Sequence, residues 1–287
     1  MNRISELRAM GLNAAQIQRI RRQGNQVTWG VYAEPGLDPQ ARYLLKCRSV
    51  LERLQPSAAL AGPSAAAVWE LPIVGEPPDE VYVRNIPRGA YAQDVRVLSD
   101  APSQRVGDLN VTTPVWTAID CARMLNSRDG LIVADAALAG SLFTTDALVA
   151  AADGIRGHPG ASRARWIAAH VDPLSESPGE TWARSLVSQL GYDVSSQAYV
   201  TDGRREAWLD LLLDDGRTAI EFDGLVKYKK RGLAKVIQEH LRDGDLQAIG
   251  YTLLHVIWKQ LSDPAQLDRR LRYAGARPAR PPRLLTW

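Results

Sequence analysis

Cysteine is nearly absent: Cys47 and Cys121 are the only two in 287 residues. A disulfide scaffold and a four-cysteine zinc site are therefore excluded, and two lone thiols suit the core of a protein kept in a reducing compartment. Long apolar runs are missing as well. No window approaches the ~20 apolar residues that cross a bilayer, and the start "MNRISELRAMGLNAAQ" lacks the apolar stretch of a secretory signal. The expectation is a soluble, cytoplasmic protein with no membrane partner. Charge of one sign is lacking too: 35 Lys and Arg against 32 Asp and Glu leave a net +3, which permits an anionic partner without demanding one. There is no internal repeat, and no low-complexity tract beyond Ala-rich helices.

What is present is ordinary folded protein, 45% hydrophobic and long enough for two or three modest domains. The expected fold class is α+β. Residues 3–9 and 14–22 suit short helices joined by Gly11-Leu12-Asn13, with Asn13 as N-cap and Leu7, Ile17 and Ile20 on one face. Arg19, Arg21 and Arg22 then lie outside, Gly24 stops the helix, and "NQVTWGVYA" reads as a strand or small wing. Helix, turn, basic helix and wing is a compact DNA-binding outline, a winged-helix-like unit over residues 1–36. A small helical cap whose arginines only confer solubility is the alternative.

An α+β middle domain is expected over 37–152. Its helices are "ARYLLKCRSVLERL", "GPSAAAVWEL", "PVWTAIDCARML" and "GLIVADAALAGSL", and its strands "EVYVRNI" and "DVRVLSD". Gly and Pro clusters mark 153–176 as a connector carrying a short helix near 162–170. A second compact unit, 177–275, runs helix, three strands, helix, strand, helix. The remaining 276–287, "RPARPPRLLTW" after Ala276, is either a disordered tail or an arm that tracks phosphates.

Within that second unit, "WLDLLLDDGRTAIEFDG" sets Asp210, Glu221 and Asp223 inside runs that otherwise read as buried strands. Period-two alternation puts Ala207, Leu209, Leu211 and Leu213 on one face and Asp210 on the other, and likewise Ile220 and Phe222 against Glu221 and Asp223. A two-residue Asp215-Gly216 hairpin turn pairs Leu211 with Ile220 and Asp210 with Glu221. Carboxylates so placed lie about 4.5–5.5 Å apart at Cβ and repel. A proton, an inserted basic side chain or a divalent cation compensates, and Mg²⁺ (or Mn²⁺) held by two carboxylates suits phosphodiester hydrolysis. A solvated sheet face, with the acids meeting Arg204, Arg205 or Lys227, is the bland alternative.

These residues, with "SPGETWARSLVSQLGY" before them and "EHLRDGDLQAIGYTLLHVIW" after, resemble the PD-(D/E)XK nuclease superfamily, in the branch similar to very-short-patch-repair endonucleases. The resemblance implies a restriction-endonuclease-like α/β/α domain with a mixed sheet, in which Glu180, Asp210 and Glu221 hold the metal. The lysine expected two residues after Glu221 is instead Asp223. Asp223 and Lys227 would assist, with Tyr228 beside them, while His240 and His255 stand where basic residues are usual. Separately, "GLNAAQIQRIRRQGNQVTWGVYA", "GPSAAAVWELPI", "TTPVWTAIDCAR" and "VADAALAG" resemble AbiEi-like antitoxins, minus the helix that usually precedes "ISEL". Together the two resemblances imply a DNA-binding, metal-dependent endonuclease of a phage-defence or toxin–antitoxin system, or else a non-catalytic antitoxin and repressor on a degenerate nuclease fold. DNA, a cognate toxin and a second copy are the implied partners; RNA ranks last because no aromatic RNP-type motif is present. Arg19, Arg21, Arg22, Lys229 and Lys230 are the expected nucleic-acid contacts.

Overall fold

A computed structural model of the chain describes residues 2–9, 11–22, 26–28, 30–33, 36–87, 94–224 and 233–285. The fold is α+β with mixed sheets. It divides into two compact units, residues 1–125 with 142–165 and residues 126–141 with 166–287. No helix among the described residues is long and apolar enough to cross a membrane.

In the first unit, β1 (Asn2–Arg3), α1 (Ile4–Ala9), α2 (Ala14–Arg22), β2 (Gln26–Thr28) and β3 (Val31–Tyr32) form two short helices and a three-stranded antiparallel sheet in the order β1-β3-β2. Asn13 caps α2 as expected: its Oδ1 accepts from Gln16 N, while Gln16 Oε1 accepts from Asn13 N, a reciprocal cap. Ile17 and Tyr32 are the buried centre, with Ile4, Leu12 and Ile20 against them. Strand β1 has no signature in the sequence, since two residues are too few to show alternation.

The same unit continues with α3 (Pro39–Leu51), β4 (Ala59–Leu60), α4 (Gly62–Val68), β5 (Val81–Arg84), β6 (Val95–Val97), β7 (Ser103–Val106), β8 (Leu109–Thr112) and α5 (Pro114–Met124). Its sheet runs β6-β5-β4-β8-β7 with parallel and antiparallel pairs. Val81, Val83, Leu60 and Val111 meet Tyr43 and Cys47 of α3 in one apolar cluster. Both cysteines are buried free thiols, and burial pushes Cys47 up to about 12. Arg84, buried beneath the sheet, forks onto the Asp120 carboxylate of α5.

Helix α6 (Ser127–Ala139) groups with the second unit, whereas α7 (Thr145–Gly154) groups with the first. The division at 165/166 falls within α8 (Ala161–Ala168), and the second unit continues through α9 (Pro178–Gln189), β9 (Val194–Thr201), β10 (Glu206–Leu213), β11 (Thr218–Phe222), α10 (Leu233–Ala248), β12 (Thr252–Val256), α11 (Trp258–Leu261) and α12 (Pro264–Tyr273). Its sheet order is β12-β11-β10-β9, parallel only between β11 and β12. Helices cover both faces. Ala183, Leu186 and Val187 of α9, with Leu267 and Leu271 of α12, pack on Leu211, Leu213, Ile220 and Phe222; Leu246 of α10 packs on Val200, Leu209 and Ala219.

The C-terminal segment is not a loose tail. Ala279 N and Arg280 N donate to Gly191 O, and Arg283 N donates to Gln189 O, which supplies partners to carbonyls at the end of α9. Gly191 sits at φ +94°, and a Cβ there would collide with the Arg280 carbonyl. Pro-rich composition suggests disorder because it weakens regular structure, yet here strand-like backbone bonding to a helix end supplies the order.

Candidate active site

Each acid is delivered by a different local device. Ser177 caps α9 with Pro178 in its first turn. Ser177 Oγ–H donates to Glu180 Oε1 (2.7 Å), Glu176 N–H donates to Glu180 Oε2 (2.9 Å), and Gln197 Nε2 donates to the same oxygen (3.2 Å). Glu180 is 6% exposed. Burial lifts its pKa above the ordinary carboxylate value, the capping donors oppose that, and the Asp210 charge adds to the lift.

The hairpin carrying the other two acids has the expected register, Leu211 opposite Ile220. Its turn is longer than two residues, however. Asp215 Oδ1 accepts from Arg217 N and Thr218 N, and its Oδ2 from Thr218 Oγ1, so the Asp side chain does the closing while Gly216 takes φ +67°.

The expected alternation fails in the middle of β10. Leu209 packs with Leu212 on the α10 side, whereas Leu211 and Leu213 pack on the α9 side. The single leucine row of the sequence is therefore split at Asp210. The cause lies across the ladder: Gln197 of β9, opposite Asp210, adopts φ +47°, and this pair is missing from an otherwise continuous register. A left-handed residue costs about 1–3 kcal/mol and persists where the surroundings over-determine it. Here it re-aims Asp210, as bulges beside active sites do.

The β10–β11 ladder stops at the acids. Asp210 Oδ2 accepts the Phe222 N–H (2.8 Å), a role a strand carbonyl would otherwise fill. Glu221, 8% exposed, meets Arg242 of α10 at 3.3 Å. Burial, then the Asp210 charge, raise Glu221 to about 7 against the pull of Arg242 and His255. Gly179 lies against the Phe222 ring so closely that a Cβ would collide with it, which lets α9 bring Glu180 down onto the end of β11.

Asp223 follows β11 with its N–H on Val256 O. Its carboxylate receives His255 Nδ1 (3.1 Å), and His255 Nε2 reaches Asp243 (3.0 Å). His255 is also the parallel-ladder partner of Glu221. So Glu180, Asp210 and Glu221 converge electrostatically, with Asp223 joined to the group through His255. His240 is exposed. Lys227, Tyr228, Lys229 and Lys230 lie outside the described residues, as do the side chains of Arg21 and Arg22; Arg19 is exposed on α2.

Among the described residues, no group of three or more His, Cys, Asp or Glu side chains is placed to hold a metal ion. Glu180 accepts three hydrogen bonds, from Ser177 Oγ–H, the Glu176 N–H and Gln197 Nε2. Asp210, which accepts the Phe222 N–H, and Glu221, which accepts from Arg242, are hard oxygen donors, and a water-rich Mg²⁺ site needs only one or two carboxylates. The residues fit such a pair and do not fit a three-carboxylate cage.

Sequence reasoning did not single out Arg242, Asp243 or Gln197. The first two sit in "EHLRDGDLQ" on the helix that covers the sheet, a signal available from helical spacing; positive φ at a glutamine leaves no signal at all. Glu180 carried two signals, the nuclease-like motif and a Ser-x-x-Glu capping box.

No family model matches the chain. Two uncharacterised proteins of Mycobacterium tuberculosis, MT2308 and Rv2248, are each 28% identical over 171 residues, which is 58% of this chain and 62% of theirs. The chain thus spans less than two thirds of the length of these relatives. The crystal structure of the RV2827C protein from the same organism aligns with a TM-score of 0.34 at 19% identity, covering 62% of this chain and 72% of that one.

Proposed function

We propose that the C-terminal unit is a Mg²⁺- or Mn²⁺-dependent phosphodiesterase acting on DNA, with α2 of the N-terminal unit contributing DNA contacts through Arg19, Arg21 and Arg22. The observation that carries this reading is a cluster of three acids around the end of the β10–β11 hairpin: Glu180 and Glu221 are buried, burial raises both, and the Asp210 charge adds to each. Packing gains nothing from that arrangement, and Arg242 offsets only part of the negative charge, since Glu221 stays raised to about 7. A divalent cation held by Asp210 and Glu221 would relieve it, and when bound would activate water and offset charge developing on a phosphate. In the chain itself, the Phe222 N–H fixes the Asp210 carboxylate, Arg242 holds Glu221, and the Glu180 cap anchors the helix beside them. A cytoplasmic setting in a defence or toxin–antitoxin system, with a cognate toxin as partner, belongs to the same proposal.

One observation favours a second reading, a DNA-binding antitoxin or repressor whose nuclease-like unit is a scaffold. Asp223 occupies the place of the superfamily lysine and is engaged by His255, while Arg242 already neutralises Glu221. Incubation of supercoiled DNA with the full chain, with Mg²⁺, Mn²⁺ or chelator, separates the two. Metal-dependent nicking that is lost in Asp210→Ala and Glu221→Ala is the expected result. Salt-sensitive DNA binding unchanged in both variants, without nicking, supports the scaffold.

A further inference from the structure

Trp208 and Tyr199 face each other across β9 and β10, ring centroids 5.3 Å apart and tilted 54°. Both stay open to solvent, at 60% and 50% exposure. A cross-strand aromatic pair supports a hairpin, but that role does not require the outer ring faces to be bare. The neighbours Val200 and Leu209 are buried towards α10, so alternation turns the two rings to the opposite face. Tyr199 Oη–H is already donated to Glu206, which leaves the ring face as what this residue offers.

The pair adjoins the acids. Trp208 stands two residues before Asp210, a rise of about 7 Å along the strand, and Tyr199 stands two residues after Gln197, whose amide holds Glu180. Arg242 donates both to the Trp208 carbonyl and to Glu221, tying the backbone under the ring to the site. Arg204 and Arg205 are exposed at the turn between the strands, flanked by Asp202 and Glu206 and with Arg205 paired to Asp245 at 3.4 Å, so ring stacking rather than charge is what the hairpin offers.

We infer that Tyr199 and Trp208 form a stacking platform for an unpaired nucleobase, on the sheet face that α9 covers and two residues along β10 from Asp210, where the faces of the strand split. The inference deepens the phosphodiesterase reading and rests on it for the class of ligand. It names the substrate as a strand whose base is free of its duplex partner, because a base within a duplex presents no open face to a sheet surface. Deoxyribose and ribose strands share this base chemistry.

The test is metal-free binding, in chelator, of fluorescent oligonucleotides of about 12 residues: oligo-dT, oligo-rU and a blunt DNA duplex. The full chain is compared as wild type, Trp208→Phe, Trp208→Leu, Trp208→Ala and Tyr199→Ala, each checked for folding by its melting transition. The expected result is preference for a single strand, weakened about five- to a hundredfold in Trp208→Leu and Trp208→Ala and largely kept in Trp208→Phe. Whichever of the two strands binds more tightly identifies the sugar. Equal binding by wild type and a folded Trp208→Leu, or duplex preference with no dependence on Trp208, overturns the platform. Because binding is read without metal, Trp208-dependent binding together with no nicking in the separate Mg²⁺ and Mn²⁺ incubations overturns the nuclease reading alone.

Discussion

Glu221 is where a single residue most clearly opposes the stability of the fold. Its folded pKa, about 7, lies above the ordinary value of 4.5 because burial and the Asp210 charge disfavour the carboxylate. Below pH 4.5 the group is protonated whether folded or not and carries no penalty; as pH rises through 7 the folded state must surrender its proton, and that part of the stability is lost. At about 1.4 kcal/mol per pH unit, the loss is on the order of 3 kcal/mol. Glu221→Gln is therefore expected to be more stable than wild type at pH 8 and indistinguishable from it near pH 4, as read by denaturant melts across that range. The presence of this acid was legible in the sequence, because a carboxylate in an apolar strand is conspicuous. Its environment was less so: Arg242 and His255 arrive from α10 and β12, and nothing in "AIEFDG" announces them.

Among the elements, helix α6 shows how local and long-range signals part company. Its helical character is plain from "GLIVADAALAGSL", but its membership of the second unit depends on Asp135, buried at 1% exposure, where it accepts from Arg184, Thr181 and the Asp172 N–H. Those partners lie far along the chain, beyond the reach of any periodicity. Removing one member of a buried pair strands the other, at a cost of about 3–5 kcal/mol. Asp135→Ala should lower stability by that much in an equilibrium melt, while a surface acid such as Asp153 changed to Ala should not. Strand β10 makes the complementary point. Its limits follow from composition, whereas its split faces follow from Gln197, whose backbone conformation no sequence rule supplies. The tail gives a further test: Gly191→Ala should free residues 279–285 from the end of α9, detectable as faster tryptic cleavage after Arg283, with more than about 1 kcal/mol lost from the strained φ.

At the scale of the whole molecule, the α+β class, the order of the C-terminal elements and the Leu211–Ile220 register are legible in the sequence, whereas the pairing of Asp210 with Glu221 is not reached because the ladder stops before it. The short strands β1, β4, β7 and β8 are not legible either, since their pairing is set by neighbours distant in sequence. The proposed chemistry turns on whether Asp210 and Glu221 take up a divalent cation. Calorimetric titration of Mn²⁺ into the full chain at pH 8, beside Asp210→Asn, asks this without requiring a substrate. One saturable binding event in wild type, absent from Asp210→Asn and weaker at pH 5 where Glu221 is protonated, is the expected result. No binding by wild type, or equal binding by the variant, would contradict the cation site and leave the nuclease-like unit a scaffold.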